Sequence, residues 1–405
     1  MKMSDTVSAV SEVQGGAEIH RIRRTRTPAL LVPLAALLLI GAACGGVSKP
    51  QGWAEPQLDG GTLYASLDKG KMSAVNTDDF TVVWEFPKDK SFACGGGKEE
   101  KHDLESIYGA PLIDGGVVYF GAYDGNVYAV DAESGDCVWE SHKSQDEGVQ
   151  CKGREPEGPI VGGLVRVEDQ LYFGSDDGQV WGIDQETGAV QSCRDVEGAV
   201  WSTPMVVDKV LYVATMEGVV WAMEAGDWHP RWSEPFRTDA ALLTDPVLAG
   251  DMIIVGGIGK TLFAIDIKTG KQQWAFDGGN WFWGRPVVDG GVAYATNLDG
   301  KVYAIDVATG AAAWENNNLE APEAIRAGAL LSDGVLVVVD RGGNVYSLDP
   351  DTGETVKESL SVIEKRVLAN PIELDGAVLV AAQGGDLYQI APTGDAPPKL
   401  LDVKE

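Results

Sequence analysis

The sequence predicts an all-β chain folded as a single eight-bladed β-propeller with four-stranded antiparallel blades. Three observations carry that expectation: a short segment that recurs eight times, a turn of fixed chemistry after most copies, and an excess of glycine. Glycine makes up 51 of 405 residues, nearly twice the usual share of ~7%. No low-complexity tract absorbs the excess, so it belongs to tight turns.

The recurring segment is Gly125–Asp131, Gly-Asn-Val-Tyr-Ala-Val-Asp. It returns at Gly178–Asp184, Gly218–Glu224, Lys260–Asp266, Gly300–Asp306, Gly343–Asp349 and Gly385–Ala391, with an earlier copy at Gly70–Asn76. Successive copies begin 55, 53, 40, 42, 40, 43 and 42 residues apart, the period of a four-stranded blade. Each copy reads as strand, turn and strand: Val117–Tyr123 alternates or runs apolar, a Gly turn follows, then Asn126–Asp131, and then a further turn. Helical periodicity is absent. A four-stranded sheet alone leaves a face bare, whereas eight packed around an axis bury both. One closed domain over residues 52–405 is therefore expected, although the length would admit two or three domains.

After the third strand of a blade comes Asp131-Ala-Glu-Ser-Gly135, repeated as Asp184 to Gly188, Asp266 to Gly270, Asp306 to Gly310 and Asp349 to Gly353. Asp accepts backbone N–H bonds at the turn start, and Gly supplies the positive φ that re-enters the next strand. A calcium loop would need more neighbouring acids and a bidentate Glu downstream, so the turn reading is kept. Four residues past the Gly position stands a Trp in several copies, Trp84, Trp139, Trp274 and Trp314, with Trp232 slightly displaced. On an outer strand such a Trp fills the gap where neighbouring blades diverge. Copies 3, 7 and 8 carry Ser192, Lys357 and Pro398 there and are expected to pack less tightly.

The pattern Ala-x-Asp-x-x-Thr-Gly-x-x-x-Trp, present in Ala264–Trp274 and Ala304–Trp314, resembles the repeat of the PQQ-like β-propeller superfamily. The resemblance covers residues 52–405 and implies the fold. It implies less about function, because the superfamily holds both quinoprotein dehydrogenases and non-catalytic lipoproteins of outer-membrane assembly; the chain looks more like the latter. The dehydrogenases carry an adjacent Cys-Cys pair and bind PQQ beside calcium, and no such Cys pair occurs here. The four histidines, His20, His102, His142 and His229, lack metal-ligand spacing, and neither a Gly-x-Ser-x-Gly elbow nor a phosphate loop is found. No catalytic residue or metal site is assigned. PQQ with calcium enters only under the alternative of a quinone-dependent oxidoreductase.

The amino terminus has the layout of an export signal. Arg21, Arg23, Arg24 and Arg26 precede an apolar run from Ala29 to Ile40, which ends in Gly41-Ala-Ala-Cys44. The ending resembles a bacterial lipobox, with Gly41 where Leu is preferred, and makes Cys44 the lipidated first residue of the mature chain. Residues 1–43 are then a signal peptide and 44–51 a linker. A cut after Ala43 by an ordinary signal peptidase and an uncleaved anchor are the alternatives. The whole chain carries a net charge of −29, which excludes nucleic-acid binding through phosphates. It also repels an anionic membrane, so the membrane is reached through the lipid or a partner.

Four cysteines remain, and in an exported protein they are expected to form disulfides. Cys94 and Cys151 lie in the insertions 88–106 and 141–159 that lengthen the first two spacings. Cys137 and Cys193 lie on outer strands, each about one repeat further on, which suggests Cys94 with Cys137 and Cys151 with Cys193. Two other connectivities stay open.

Aligning the copies on the Pro that opens the innermost strand gives a candidate surface. Three residues before it stand Trp53, Tyr108, Val161, Trp201, Leu243, Trp283, Arg326 and Leu368. The next position is always small, as expected where blades approach the axis most closely. The ring before it is thus placed at the channel mouth, with Glu55, Asp245, Arg285 and Asn370 on the same side and both insertions rising on the same face. Trp53, Tyr108, Trp201, Trp283, Arg285 and Arg326 are the partner-binding candidates; plugging the channel is the bland alternative. The expected molecule is a monomeric, non-catalytic envelope scaffold that binds a protein or peptide, by this face or by pairing an extended segment with a strand edge.

Overall fold

The computed structural model describes residues 54–403, apart from 68–69, 90, 96–99, 102–103, 145, 147–148, 150, 316–318, 358–362 and 394–395. The proposed signal peptide, Cys44, the linker and Trp53 lie outside the described residues. Among the described residues there is no helix, and eight antiparallel blade sheets follow one another in chain order, with a two-stranded ribbon of Ser91–Phe92 and Glu100–Lys101 in the first insertion. Seven have four strands, as in blade 5: Val247–Ala249, Met252–Gly256, Thr261–Asp266 and Gln272–Asp277. In blade 6 three strands pair, and Ala312 holds the fourth place through a single bridge to Ile305. Every blade is one uninterrupted stretch of chain, so the ring closes between blades 8 and 1 without strand exchange. Leu379, Leu387 and Leu401 of blade 8 pack there against Leu63, Ala65 and Val75 of blade 1.

The repeated turn works as its residues require. Asp306 Oδ1 accepts from the N–H and the hydroxyl of Thr309 at 2.8 and 2.6 Å, which holds its carboxyl below the usual carboxylate range. Gly310 follows at φ 72°. Its second duty is steric, since a Cβ there would run into the Trp274 indole of the preceding blade. Each outer-strand Trp thus lies under the turn of the next blade and donates from Nε1 to a carbonyl within that turn: Trp84 to Ala132 at 2.9 Å, Trp274 to Val307 at 2.8 Å and Trp314 to Pro350 at 2.9 Å. Apolar burial and a satisfied N–H coincide at these three seams.

The seam between blades 3 and 4 corrects one expectation. Ser192 stands where the Trp belongs, paired opposite Gly182, yet the gap is filled from the other side by Trp228. This residue occupies the Gly position of blade 4's turn at φ 62°; it is 2% exposed and meets Tyr172 edge-on, with ring centroids 5.7 Å apart. In blade 8 strand pairing sets Lys399, not Pro398, in the Trp register, opposite Gln389.

The insertions also differ from expectation. Their cysteine-bearing parts do not rise on the mouth face but lie along the outer strand of the following blade. Cys94 is bonded to Cys137 and Cys151 to Cys193, with Cα separations of 4.7 and 5.9 Å. Gly95 N–H donates to the Cys137 carbonyl at 3.4 Å, and His142 bridges to Ala189. Cross-link and backbone bonds together hold these segments to the rim. The ends of both insertions return over the hairpins between second and third strands, where the Ser106 carbonyl accepts from Tyr123 N–H and the Pro159 carbonyl from Asp176 N–H, each at 2.9 Å.

A candidate partner-binding site at the channel mouth

The connections that enter the first strands converge on the axis. Their small residues make this possible: a Cβ on Gly109 would strike the Gly162 backbone, and one on Gly284 the backbone of Ala327. Immediately before this ring, Tyr108, Val161, Trp201, Leu243, Trp283, Arg326 and Leu368 line one cavity of about 310 Å³. All seven described members of the predicted ring therefore come together.

The aromatic walls are held in place. Trp201 donates from Nε1 to Asp176 Oδ1 at 2.7 Å. Tyr108 meets Tyr123 edge-on at 5.6 Å, and burial pushes its hydroxyl up to about 12. The Arg326 guanidinium lies 4.0 Å over the Trp283 ring of the preceding blade, a cation–π contact strengthened by partial desolvation. Burial, with Arg341 nearby, pushes Arg326 down to about 10. Tyr108, Trp201, Trp283 and Arg326 are half-buried, whereas Arg285 is exposed.

Below the aromatics lies a polar waist that sequence reasoning noticed only in part. Asp245 Oδ1 accepts from Thr203 N–H at 2.6 Å, Thr203 Oγ1 from Gly163 N–H at 2.9 Å, and Asn370 Oδ1 from Gly328 N–H at 2.6 Å. In each case a side chain reaches back to the preceding blade at the same register. Glu55 joins the two ends of the chain and spans the opening: it accepts from Asn370 Nδ2 of blade 8 at 2.8 Å and pairs with Arg285 of blade 6 at 2.9 Å. Burial pushes the Asp245 carboxyl up, against the opposing pull of Thr203 N–H and Arg285. The signal for the waist was the polar column that directly follows the small ring; the signal for Trp228 was a Trp in a turn position otherwise held by Gly.

Both disulfides sit on the rim, and no adjacent Cys pair lies beside the cavity. The residues at the mouth therefore do not reproduce the quinone site that the oxidoreductase alternative requires, and that alternative is not favoured.

The fold and the mouth define an eight-bladed β-propeller of the PQQ-like repeat class, with a preorganised aromatic cavity on its axis. A family model described as outer membrane protein assembly factor BamB matches residues 6–192, 153–245 and 228–394, and the chain belongs to that family. The outer membrane protein assembly factor BamB of Yersinia pestis is 24% identical over 294 residues, 69% of this chain and 73% of that protein. That of Xanthomonas campestris pv. campestris is 26% identical over 363 residues, 85% of this chain and 84% of that protein. The crystal structure of BamB from Moraxella catarrhalis superposes with a TM-score of 0.62 at 15% identity, covering 82% of this chain and 92% of the other.

Proposed function

We propose that the protein is a non-catalytic, lipid-anchored scaffold of the cell envelope that holds a protein partner at the channel mouth during outer-membrane protein assembly. Supporting the reading is the cavity itself: three aromatic rings from blades 2, 4 and 6, each fixed by a neighbour, line one opening. Rigid, partly desolvated Trp, Tyr and Arg are the residue types that dominate binding energy at interfaces. Family membership supplies the assembly context, and Gly41-Ala-Ala-Cys44 supplies the anchor. Cys44 is the lipidated residue in this reading, with residues 1–43 removed.

Envelope extracts passed over wild-type protein and over Trp201→Ala and Trp283→Ala test it. The partner is retained by the first and lost from the other two; equal retention by all three removes the mouth from consideration. Cys44→Ser tests the anchor separately. It moves the protein from the membrane to the soluble exported fraction, and a variant that withstands a carbonate wash on the membrane refutes lipidation at this residue.

A further inference from the structure

The far end of the channel has a different chemistry. Toward the other side of the waist, Leu112, Leu164, Val165, Met205 and Val206 wall a second cavity of about 640 Å³ on the first strands of blades 2 to 4, whose two arginines, Arg166 and Arg285, are paired with Asp114 and Glu55. This cavity opens among the turns that join first and second strands. Every one of those eight turns carries an acidic residue at or beside its tip.

In three turns the acid is paired: Asp114 with Arg166 at 2.9 Å, Asp251 with Lys268 at 3.1 Å, and Glu168 with Lys209. Among the described residues Asp59, Asp208, Asp289, Asp333 and Asp375 have no ion pair. Turn geometry asks for Asp or Asn alike at three of them, Asp208, Asp333 and Asp375, and for neither at the other two. In blades 7 and 8 the Asp opens a two-residue loop, Asp333 at φ 50° and Asp375 at φ 51°, a conformation that Asn serves equally well. In blades 1 and 6, Asp59 and Asp289 are instead the last paired residues of a strand, opposite Thr62 and Val292, where the loop of two glycines makes no demand on them. The negative charge persists while its conformational setting changes.

We infer that this end of the channel docks a cationic polypeptide segment, with Lys or Arg set around an aliphatic or aromatic side chain. The apolar wall takes the central side chain, and the surrounding carboxylates meet the flanking cations. Such a ring raises the encounter rate with a basic segment and disfavours an acidic one. The second cavity shares Leu112, Leu164 and the waist residues Thr203, Asp245 and Arg285 with the mouth cavity, whereas Trp201 and Trp283 line the mouth alone.

A fluorescein-labelled peptide of alternating Lys and Leu, titrated into the full mature protein, tests the inference beside Lys-Ser and Glu-Leu versions. The Lys-Leu peptide binds, and its affinity falls at least about tenfold at raised salt and in the variant with Asn at positions 59, 208, 289, 333 and 375. The Lys-Ser peptide binds about tenfold more weakly, and the Glu-Leu peptide does not bind. Trp201→Ala and Trp283→Ala leave the Lys-Leu titration unchanged, which keeps this result separate from the mouth reading. Thermal melting checks that the Asn variant folds; Met205→Lys, which places a cation in the wall with the acids intact, also abolishes binding. Equal binding of Lys-Ser and Lys-Leu, an unaffected Asn variant, or a loss caused by the mouth substitutions each overturns the inference.

Discussion

Trp228 stands almost perpendicular to Tyr172, at an interplanar angle of 83°, and fills from blade 4 the slot that other seams fill from the preceding blade. The contact joins two departures from the repeat, Ser192 in a Trp position and Trp228 in a Gly position. A bulky residue at positive φ carries a conformational cost of about 1–2 kcal/mol, which the buried indole offsets. Trp228→Gly relieves that strain yet opens a cavity, and a net loss of about 2 kcal/mol is expected in denaturant unfolding. Ser192→Trp added to Trp228→Gly rebuilds the ordinary seam and recovers most of it. A double variant no more stable than Trp228→Gly alone contradicts the exchange.

Indoles at the seams and at the mouth separate folding from binding. Trp274→Ala and Trp314→Ala each remove a buried ring and its bond to the next blade, at a cost of about 3–5 kcal/mol. Trp201→Ala and Trp283→Ala leave the seams intact; they lower partner retention by roughly 2 kcal/mol each and stability by less. Melting temperature and retention measured on all four variants decide the point, because equal destabilisation makes the mouth ring part of the core.

Acid–base behaviour at the waist and at the turns runs in opposite directions. Burial raises Asp245 in the folded state, so its contribution is fully present below the unfolded carboxylate pKa and is lost as pH rises through the folded value. Asp245→Asn keeps an acceptor for Thr203 N–H and is expected to raise the melting temperature near neutral pH, with little effect in acid. Asp131, Asp266 and Asp306 are lowered by turn hydrogen bonds. Their contribution is present above the unfolded pKa and is lost as pH falls through the folded values. Asp306→Asn therefore flattens the acid limb of a stability profile, and an Asn variant with an unchanged acid limb excludes this role.

Each disulfide closes a loop of similar length, with sequence separations of 43 and 42. Replacing either pair by Ser is expected to cost about 3–4 kcal/mol if the unfolded chain sets the effect. Non-reducing peptide mapping should recover Cys94 linked to Cys137 and Cys151 to Cys193; any other pairing displaces the insertions from the rim.

The blades were legible because each is coded locally: Asp306 to Gly310 specifies its own turn, and the 40- to 43-residue spacing repeats the unit. Alignment on the strand-opening Pro likewise brought out the mouth ring, since small residues such as Gly109 and Gly284 mark the closest approach to the axis. Reading fails where a role moves between chain segments. Ser192 looked like a weak seam because the residue that repairs it, Trp228, comes 36 residues later from the adjacent blade. The insertions, too, were expected at the mouth because they precede innermost strands, but a cross-link between distant cysteines draws each outward to the rim.

Ring closure without strand exchange has a consequence for chain connectivity. Here the junction of blades 8 and 1 is, like the other seven, a contact between blades that are each built from consecutive strands. Both ends of the propeller, before Ala54 and after Leu401, emerge where other blades run from outermost to innermost strand. A circular permutant that joins these ends by a short linker and starts instead between Asp277 and Phe282 keeps every blade whole. Among the described residues, Glu55, which bonds to Asn370 and Arg285, lies beside the original opening, and the permutant carries all three inside the chain.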